Sequence, residues 1–367
     1  METRAWRHFD FVMMATTIAL AIFGVAMIYS ATLGTEGNTG LDSRVIRQIA
    51  YLIVGIGLLV TLATTDYHIL SNLSWLLYGG CVGLLIAVFV IGRVTHGSQR
   101  WIPLGFFDLQ PSEPAKLALV IVLAKFFADR PESIGKLRIV AVSAALTAVP
   151  AVLTLLQPDL GTAMVFVAIW LGMLVIAGLR WIHALLLAVL AGGAAPFAWH
   201  FMPTYQKGRL LIFMDPTADP LGDGYNVIQA LISVGSGGLT GRGFTFGTQS
   251  QLHFLRVQYA DFIFSVVAEE LGFVGALVLL TLFLVLLLRA VRAASIAWDG
   301  FGRLLCVGIV AMLAVQTFVN IGMNIGLLPV TGVPLPLISY GGSTAFTIFA
   351  AVGVLEGVAM RHKRFEF

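Results

Sequence analysis

Apolar residues in this chain come in long runs rather than in the alternating or amphipathic patterns of water-soluble elements. The runs fall at about 10–31, 45–64, 72–92, 113–130, 137–155, 161–178, 181–200, 262–288, 303–328 and 340–361. Each is close to the roughly 20 residues that an α-helix needs to cross a bilayer. The pattern predicts an all-α integral membrane protein of about ten transmembrane helices, with residues 1–367 forming a single membrane domain. The first run is too long for a secretory-signal core and lacks a small-residue cleavage site, so it is expected to be a retained span.

One stretch breaks the pattern. Residues 201–261 form a long loop between the seventh and eighth spans, and loops of that length in a compact domain are usually functional or disordered. In it Tyr225, Ile228 and Ile232 recur at helical spacing, followed by glycines at 235, 237, 238, 241, 243 and 247. This predicts a short amphipathic or re-entrant helix and then a tightly turning loop. Irregular backbone at membrane depth survives only under protein or beside a wet cavity. The segment is therefore expected to pack over the span ends and to help wall a cavity.

Composition sharpens the picture. Of the 367 residues 58% are hydrophobic and 11% charged, against about 25% charged in soluble domains. Mean hydropathy is +0.92. A soluble enzyme is excluded, and a net charge of +3 without a basic block gives no nucleic-acid partner. Cys81 and Cys306 fall inside apolar runs and read as small buried hydrophobes. An even number of spans puts both termini on one side. That side would hold Arg4, Arg7, Lys125, Arg130, Lys136, Arg138, Arg180, Arg289, Arg292, Arg303, Arg361, Lys363 and Arg364, 13 of the 22 basic residues. The positive-inside bias makes it the cytoplasmic side.

The polar residues that change the picture further collect on the opposite side. Gln99-Arg100-Trp101 precedes the fourth span and reads either as an interfacial aromatic belt or as part of a site. Glu113 and Lys116 open that span three residues apart, on one helical face. They fit a helix start capped by Ser112 or Glu113 with a local ion pair, and equally a phosphate site of helix N-terminus plus lysine. Asp159 follows Gln157-Pro158 and either caps the sixth span or presents a carboxylate to a cation or sugar hydroxyl. Asp261 opens the eighth span as a cap or as an inward-facing functional carboxylate. Ser265, Ala268 and Gly272 continue its face as a small-residue packing stripe, and Glu269 and Glu270 lie deeper as structural groups in need of partners. Pro329 to Ser343 carries three prolines, so it cannot be a regular helix. Its Ser339 and Tyr340 offer hydroxyls. GxxxG pairs at Gly79–Gly83 and Gly353–Gly357 read as span packing. The seven histidines have no metal-ligand spacing, and no Walker loop, dinucleotide fingerprint or serine-hydrolase elbow is present.

Together these pieces resemble the SEDS family (shape, elongation, division and sporulation proteins), nearest to its RodA branch. The similarity runs over almost the whole chain. It is carried by Asp215-Pro216, Asp219-Pro220-Leu221-Gly222, Gly224-Tyr225, Gln229, Gly235 to Leu239, Gly247 to Leu252, Asp261-Phe262-Ile263-Phe264, Glu269 to Gly272 and Pro334 to Ser343. The chain departs from the family just before Asp261, where Arg256-Val257 replaces the usual Pro-Glu after Phe-Leu. The acidic partner becomes a cation, which would bias Asp261 toward its ionised form.

The resemblance implies a ten-span peptidoglycan glycosyltransferase of the bacterial cytoplasmic membrane. It would polymerise lipid II on the outer face for cell elongation, beside a class B penicillin-binding protein and other elongation-complex membrane proteins. It implies that Asp261 is catalytic and that Trp101, Glu113, Lys116 and Asp159 are functional, with Arg209, Gln229, Ser339 and Tyr340 as further substrate-site candidates. Inverting transfer needs one base, Asp261, and stabilisation of the departing polyprenyl pyrophosphate by Lys116, Arg209 or the fourth-span N-terminus. A divalent cation (Mg or Mn) held by Asp159 or Glu113 is an alternative stabiliser; no organic cofactor is expected. The rival reading is a lipid II flippase or other transporter, and a third is a scaffold that only activates its partner. A transporter commonly shows repeated halves and midplane sites, and no half-to-half repeat is visible here.

Overall fold

The computed structural model describes residues 8–33, 42–95, 98–105, 107–131, 135–220, 222, 224–252, 254–255 and 257–361. Arg4, Arg7, His96, Leu221, His253, Arg256, His362, Lys363 and Arg364 lie outside the described residues.

Each of the ten apolar runs is a helix. These are α1 (Phe11–Thr32), α2 (Ser43–Thr64), α3 (His68–Ile91), α4 (Ser112–Ala128), α5 (Leu137–Leu156), α6 (Leu160–Ala177), α7 (Trp181–Phe201), α11 (Ile263–Ile296), α12 (Gly300–Asn324) and α13 (Gly342–Met360). Eight of them are long and apolar enough to cross a membrane. The other two are α4, with 17 residues, and α7, apolar over Trp181–Ala194 and carrying Pro196 inside. Between α7 and α11 lie α8 (Thr204–Met214), a 3-10 turn at Pro216–Ala218, α9 (Gly224–Ser236) and α10 (Thr248–Gln251). The helix expected around Tyr225 is α9; α8 was not expected. Nor was a small antiparallel sheet between α3 and α4, of β1 (Arg93–Thr95), β2 (Ser98–Pro103) and β3 (Asp108–Leu109) in the order β1-β2-β3.

Helix α13 is the central post, with 94% of its span buried. It packs against α2, where Gly55 abuts the Phe349 ring and Gly353 abuts the Leu59 backbone. Small residues let the two backbones approach closely. Gly353 and Gly357 thus pack as expected. Gly79 and Gly83 do not, since among the described residues no atom lies within 4 Å of where their side chains would be; that face of α3 is exposed. Gly308 of α12 meets Val120 of α4 and Met173 of α6, which ties these three helices together.

The helices end in two polar rims. At one, Arg289 pairs with Asp10 at 2.5 Å, and the Asp10 N–H donates to Glu356 at 3.0 Å. Tyr67 donates to Asp299, and Arg361 reaches the Ala63 carbonyl at 3.0 Å. Burial and the Asp299 carboxylate push the Tyr67 hydroxyl far above its ordinary pKa. The other rim carries Arg100, Gln110, Asp159, Asp261 and the segment 329–341.

Candidate active site at the loop-bearing rim

Helix α11 is broken at Gly272, which takes φ +65°. The break releases two carbonyls and two N–H groups next to the fully buried Glu269 and Glu270, and each must find a partner. The glycine loop supplies all four. Arg242 N–H donates to the Glu269 carbonyl at 3.0 Å and Gly243 N–H to the Glu270 carbonyl at 2.9 Å. Phe273 and Val274 donate back to the carbonyls of Gly238 and Leu239 at 2.9 and 3.1 Å. A side chain at Gly241 or Gly272 would collide with this exchange.

The deeper acidic pair fixes the next stretch. Glu269 accepts from the N–H groups of Gln249 and Ser250 at 2.7 and 3.1 Å. Glu270 accepts from Ser30 Oγ at 2.6 Å and Thr245 N–H at 3.1 Å. Both carboxylates are fully buried, and they tie the loop to α1 and the head of α11. Further back, Asp215 accepts from the Thr217 hydroxyl and N–H, which hold its carboxyl below the usual range.

The loop delivers Asp261 half-buried at the head of α11. It is not the cap of that helix, because Phe262 occupies the cap position. Its main-chain carbonyl accepts from Asn320 Nδ2 at 3.2 Å and Asn324 Nδ2 at 3.1 Å. Its carboxylate faces Gly332, where a Cβ would lie 3.6 Å from Oδ2.

Segment 329–341 is the hub of the rim. Its backbone turns through Gly332 at φ +73° and Leu337 at φ +64°. Ser339 Oγ donates to the Ala260 carbonyl at 2.7 Å and accepts from Leu335 N–H at 2.8 Å. Tyr340 N–H donates to the Tyr259 carbonyl at 2.9 Å, and the two rings meet edge-on at 5.8 Å. Ser339 and Tyr340 therefore hold the residues just before Asp261. Gly161 of α6 abuts Thr331 and Val333, so Asp159 and Asp261 both lie within a few residues of Gly332. At the far end Ser343 accepts from Gln110 N–H at 2.9 Å, which docks the start of α4 on the hub.

Asp159 does cap α6. Its Oδ1 accepts from Thr162 N–H and its Oδ2 from Thr162 Oγ1, both at 3.0 Å. Arg100 Nη1 stands 3.7 Å from the same carboxylate, while its Nε donates to the Gln157 carbonyl at 2.8 Å. That arginine pins the α5–α6 turn, where Pro158 has φ +30°, and sets its neighbour Trp101, half-buried on β2, beside it. Ser112 and Glu113 do not cap α4, contrary to expectation: Pro111 is the cap and has no side-chain bond. Instead Lys116 Nζ pairs with Glu113 Oε1 at 2.7 Å, both buried. Glu113 Oε2 has no partner among the described residues.

Arg209 is exposed on α8 and reaches the Val330 carbonyl at 3.4 Å. It lines a cleft with Pro158, Tyr205, Gln206, Val330 and Thr331. Gln229 is half-buried on α9, whose Ala230 clusters with Phe262, the residue after Asp261. Asn320 and Asn324 were missed by sequence reasoning; their signal was two amides four residues apart in an apolar run.

Asp159 and Glu113 do not make a built metal site. Among the described residues no three of His, Cys, Asp or Glu converge. Asp159 is engaged by Thr162 and Arg100, and Glu113 through Oε1 by Lys116.

A bundle of membrane helices around a buried central one, with a carboxylate at one polar rim, defines a multi-pass membrane protein with its candidate site at the end of the bundle. The family model of FtsW, RodA and SpoVE cell cycle proteins matches residues 10–364. The chain belongs to that family. It is 40% identical to the peptidoglycan glycosyltransferase MrdB of Escherichia coli K12, over 97% of this chain and 95% of that one. It is 31% identical to the peptidoglycan glycosyltransferase RodA of Treponema pallidum, over 98% of this chain and 100% of that one. Its fold matches a chain of a peptidoglycan synthase complex described as coordinating polymerization and crosslinking. That match has a TM-score of 0.82 and 33% identity, covering 96% of this chain and 98% of the other. Thermus thermophilus RodA matches with a TM-score of 0.71 and 31% identity, covering 98% of each chain.

Proposed function

We propose that this protein is a peptidoglycan glycosyltransferase of cell elongation that polymerises lipid II by inverting transfer, with Asp261 as the base. The observation that carries the reading is the placement of that carboxylate. It stands at the rim, over the Gly332 backbone, beside the α6 opening and joined through the hub to the α4 opening. A hydroxyl of one sugar attacks the anomeric carbon of another, its proton passes to Asp261, and the bond to the polyprenyl pyrophosphate breaks. The pyrophosphate leaves with the electron pair, so no general acid is needed. Lys116, the α4 N-terminus and Arg209 supply positive charge to it. Glu113 holds the Lys116 ammonium in place at 2.7 Å, and Trp101 offers a ring face. This reading also assigns to the substrate site Gln229, on the helix packed against Phe262, and Asp159 at the α6 opening, while Ser339 and Tyr340 brace the chain before Asp261.

The rim would face outward. The basic residues favour the opposite end as cytoplasmic, with both termini there, and the polyprenyl chain would lie in lipid between spans. A class B penicillin-binding protein is the partner this reading assigns, supported by the crosslinking function named for the matching complex. A divalent cation (Mg or Mn) held by Asp159 or by the second oxygen of Glu113 would add to the stabilisation of the pyrophosphate. Purified protein given lipid II in detergent should yield glycan polymer. Transfer of lipid II between leaflets of a vesicle without polymer would support the flippase instead.

A further inference from the structure

We infer that Asn320 and Asn324 of α12 are positioning residues that set the reach of Asp261, acting as an amide clamp between three elements. The inference rests on Asp261 being the base and adds the residues that fix it.

The head of α11 has no side-chain cap of its own. A helix start leaves its first N–H groups without intrahelical partners, and a buried one must be satisfied from elsewhere. Here another helix does it. Asn324 Oδ1 accepts from Ser265 Oγ at 2.6 Å and from Ser265 N–H at 3.3 Å. The same side chain turns its NH₂ to the Asp261 carbonyl at 3.1 Å and to the Asn320 carbonyl at 2.8 Å. One amide thus holds the helix head and Asp261, the residue before its cap, and spends both donors and its acceptor.

Asn320 sits one turn deeper. Its Nδ2 donates to the Asp261 carbonyl at 3.2 Å and to the Val333 carbonyl at 2.8 Å. Val333 follows Gly332, the backbone that the Asp261 carboxylate faces. A single NH₂ therefore bridges the chain carrying the base to the chain beneath it. Asn320 and Asn324 are fully buried, as is Ser265, so no water competes for these bonds and the arrangement is stiff. Displacing a base by about 1 Å can cost about 10²-fold in rate, and this geometry resists such a shift.

The test uses full-length protein in detergent with lipid II. Asn320→Asp and Asn324→Asp keep size and acceptor but lose the NH₂ donors, and Asn324→Asp can still accept from Ser265. For both, kcat is expected to fall by about 10–100-fold with KM for lipid II within about twofold of wild type. Asn324→Leu removes the cap as well, and hydrogen exchange in the peptide carrying Ser265 should speed up, a readout independent of activity. Asn320→Gln, which restores a donor, should recover part of kcat. Wild-type kcat in both Asp variants would overturn the clamp, as would a loss confined to melting temperature with kcat per folded molecule unchanged. Asp261→Asn is run alongside: if it polymerises normally, the base assignment fails, whereas the exchange result still reports on the clamp.

Discussion

Lys116 and Glu113 lie one turn apart at the head of α4, both buried and 2.7 Å apart. Removing two charges from water costs several kcal/mol per ion, and breaking such a pair by deleting one partner costs about 3–5 kcal/mol. Lys116→Met is therefore expected to destabilise by about that amount, and Glu113→Gln in the same chain to restore most of it. A double-mutant cycle of unfolding in detergent measures this; a Lys116→Met protein as stable as wild type would contradict it. At this scale the sequence was readable where chemistry is local. The three-residue spacing placed Glu113 and Lys116 on one face, and Pro-Asp at 158–159 marked a cap. It was silent where the partner is remote. Nothing near Asp261 says that its carbonyl is held from residues 59 and 63 positions away, and Asn320 and Asn324 vanish into an apolar run. Arg100 shows the same limit, since its role depends on a turn some 57 residues on.

Among the elements, α11 carries the most tertiary information. Its break at Gly272 is set by the loop at 238–243, which exchanges four backbone hydrogen bonds with it. The small-residue stripe of Ser265, Ala268 and Gly272 announced packing, but a continuous helix would have explained it equally well. Gly272→Ala faces two obstacles: a left-handed φ and a Cβ that would fall on the Gly241 backbone. It should undock the glycine loop, exposing 238–252 to proteolysis and abolishing glycan synthesis. Proteolysis rates equal to wild type would count against this. The sheet at 93–109 escaped notice because three short strands inside a polar loop leave almost no periodic signal. Helix α9 was legible because its apolar positions repeat at helical spacing.

Over the whole molecule, the ten apolar runs dictated the architecture, because a bilayer leaves the backbone little choice but helix. What they could not dictate is which helix stands in the middle. That is α13, fixed by close contacts of Gly353 and Gly55 with α2. The two polar rims lie at opposite ends of the bundle, and the proposed function assigns the glycine-loop rim to the outside. Leu239 is exposed on the glycine-loop rim and Trp298 near the other. In a background lacking Cys81 and Cys306, Leu239→Cys should react with a membrane-impermeant maleimide from outside intact cells, and Trp298→Cys only after lysis. The reverse pattern would invert the topology.

One proton acceptor decides the chemistry, and the direct measurement is the rate of lipid II polymerisation by purified wild-type and Asp261→Asn proteins. Loss of a general base typically costs about 10²–10⁴-fold. Asp261→Asn, matched in shape and leaving the backbone carbonyl for Asn320 and Asn324, is expected to melt like wild type and to lose glycan synthesis by that factor. A correctly folded Asp261→Asn protein that polymerises lipid II at the wild-type rate would contradict it.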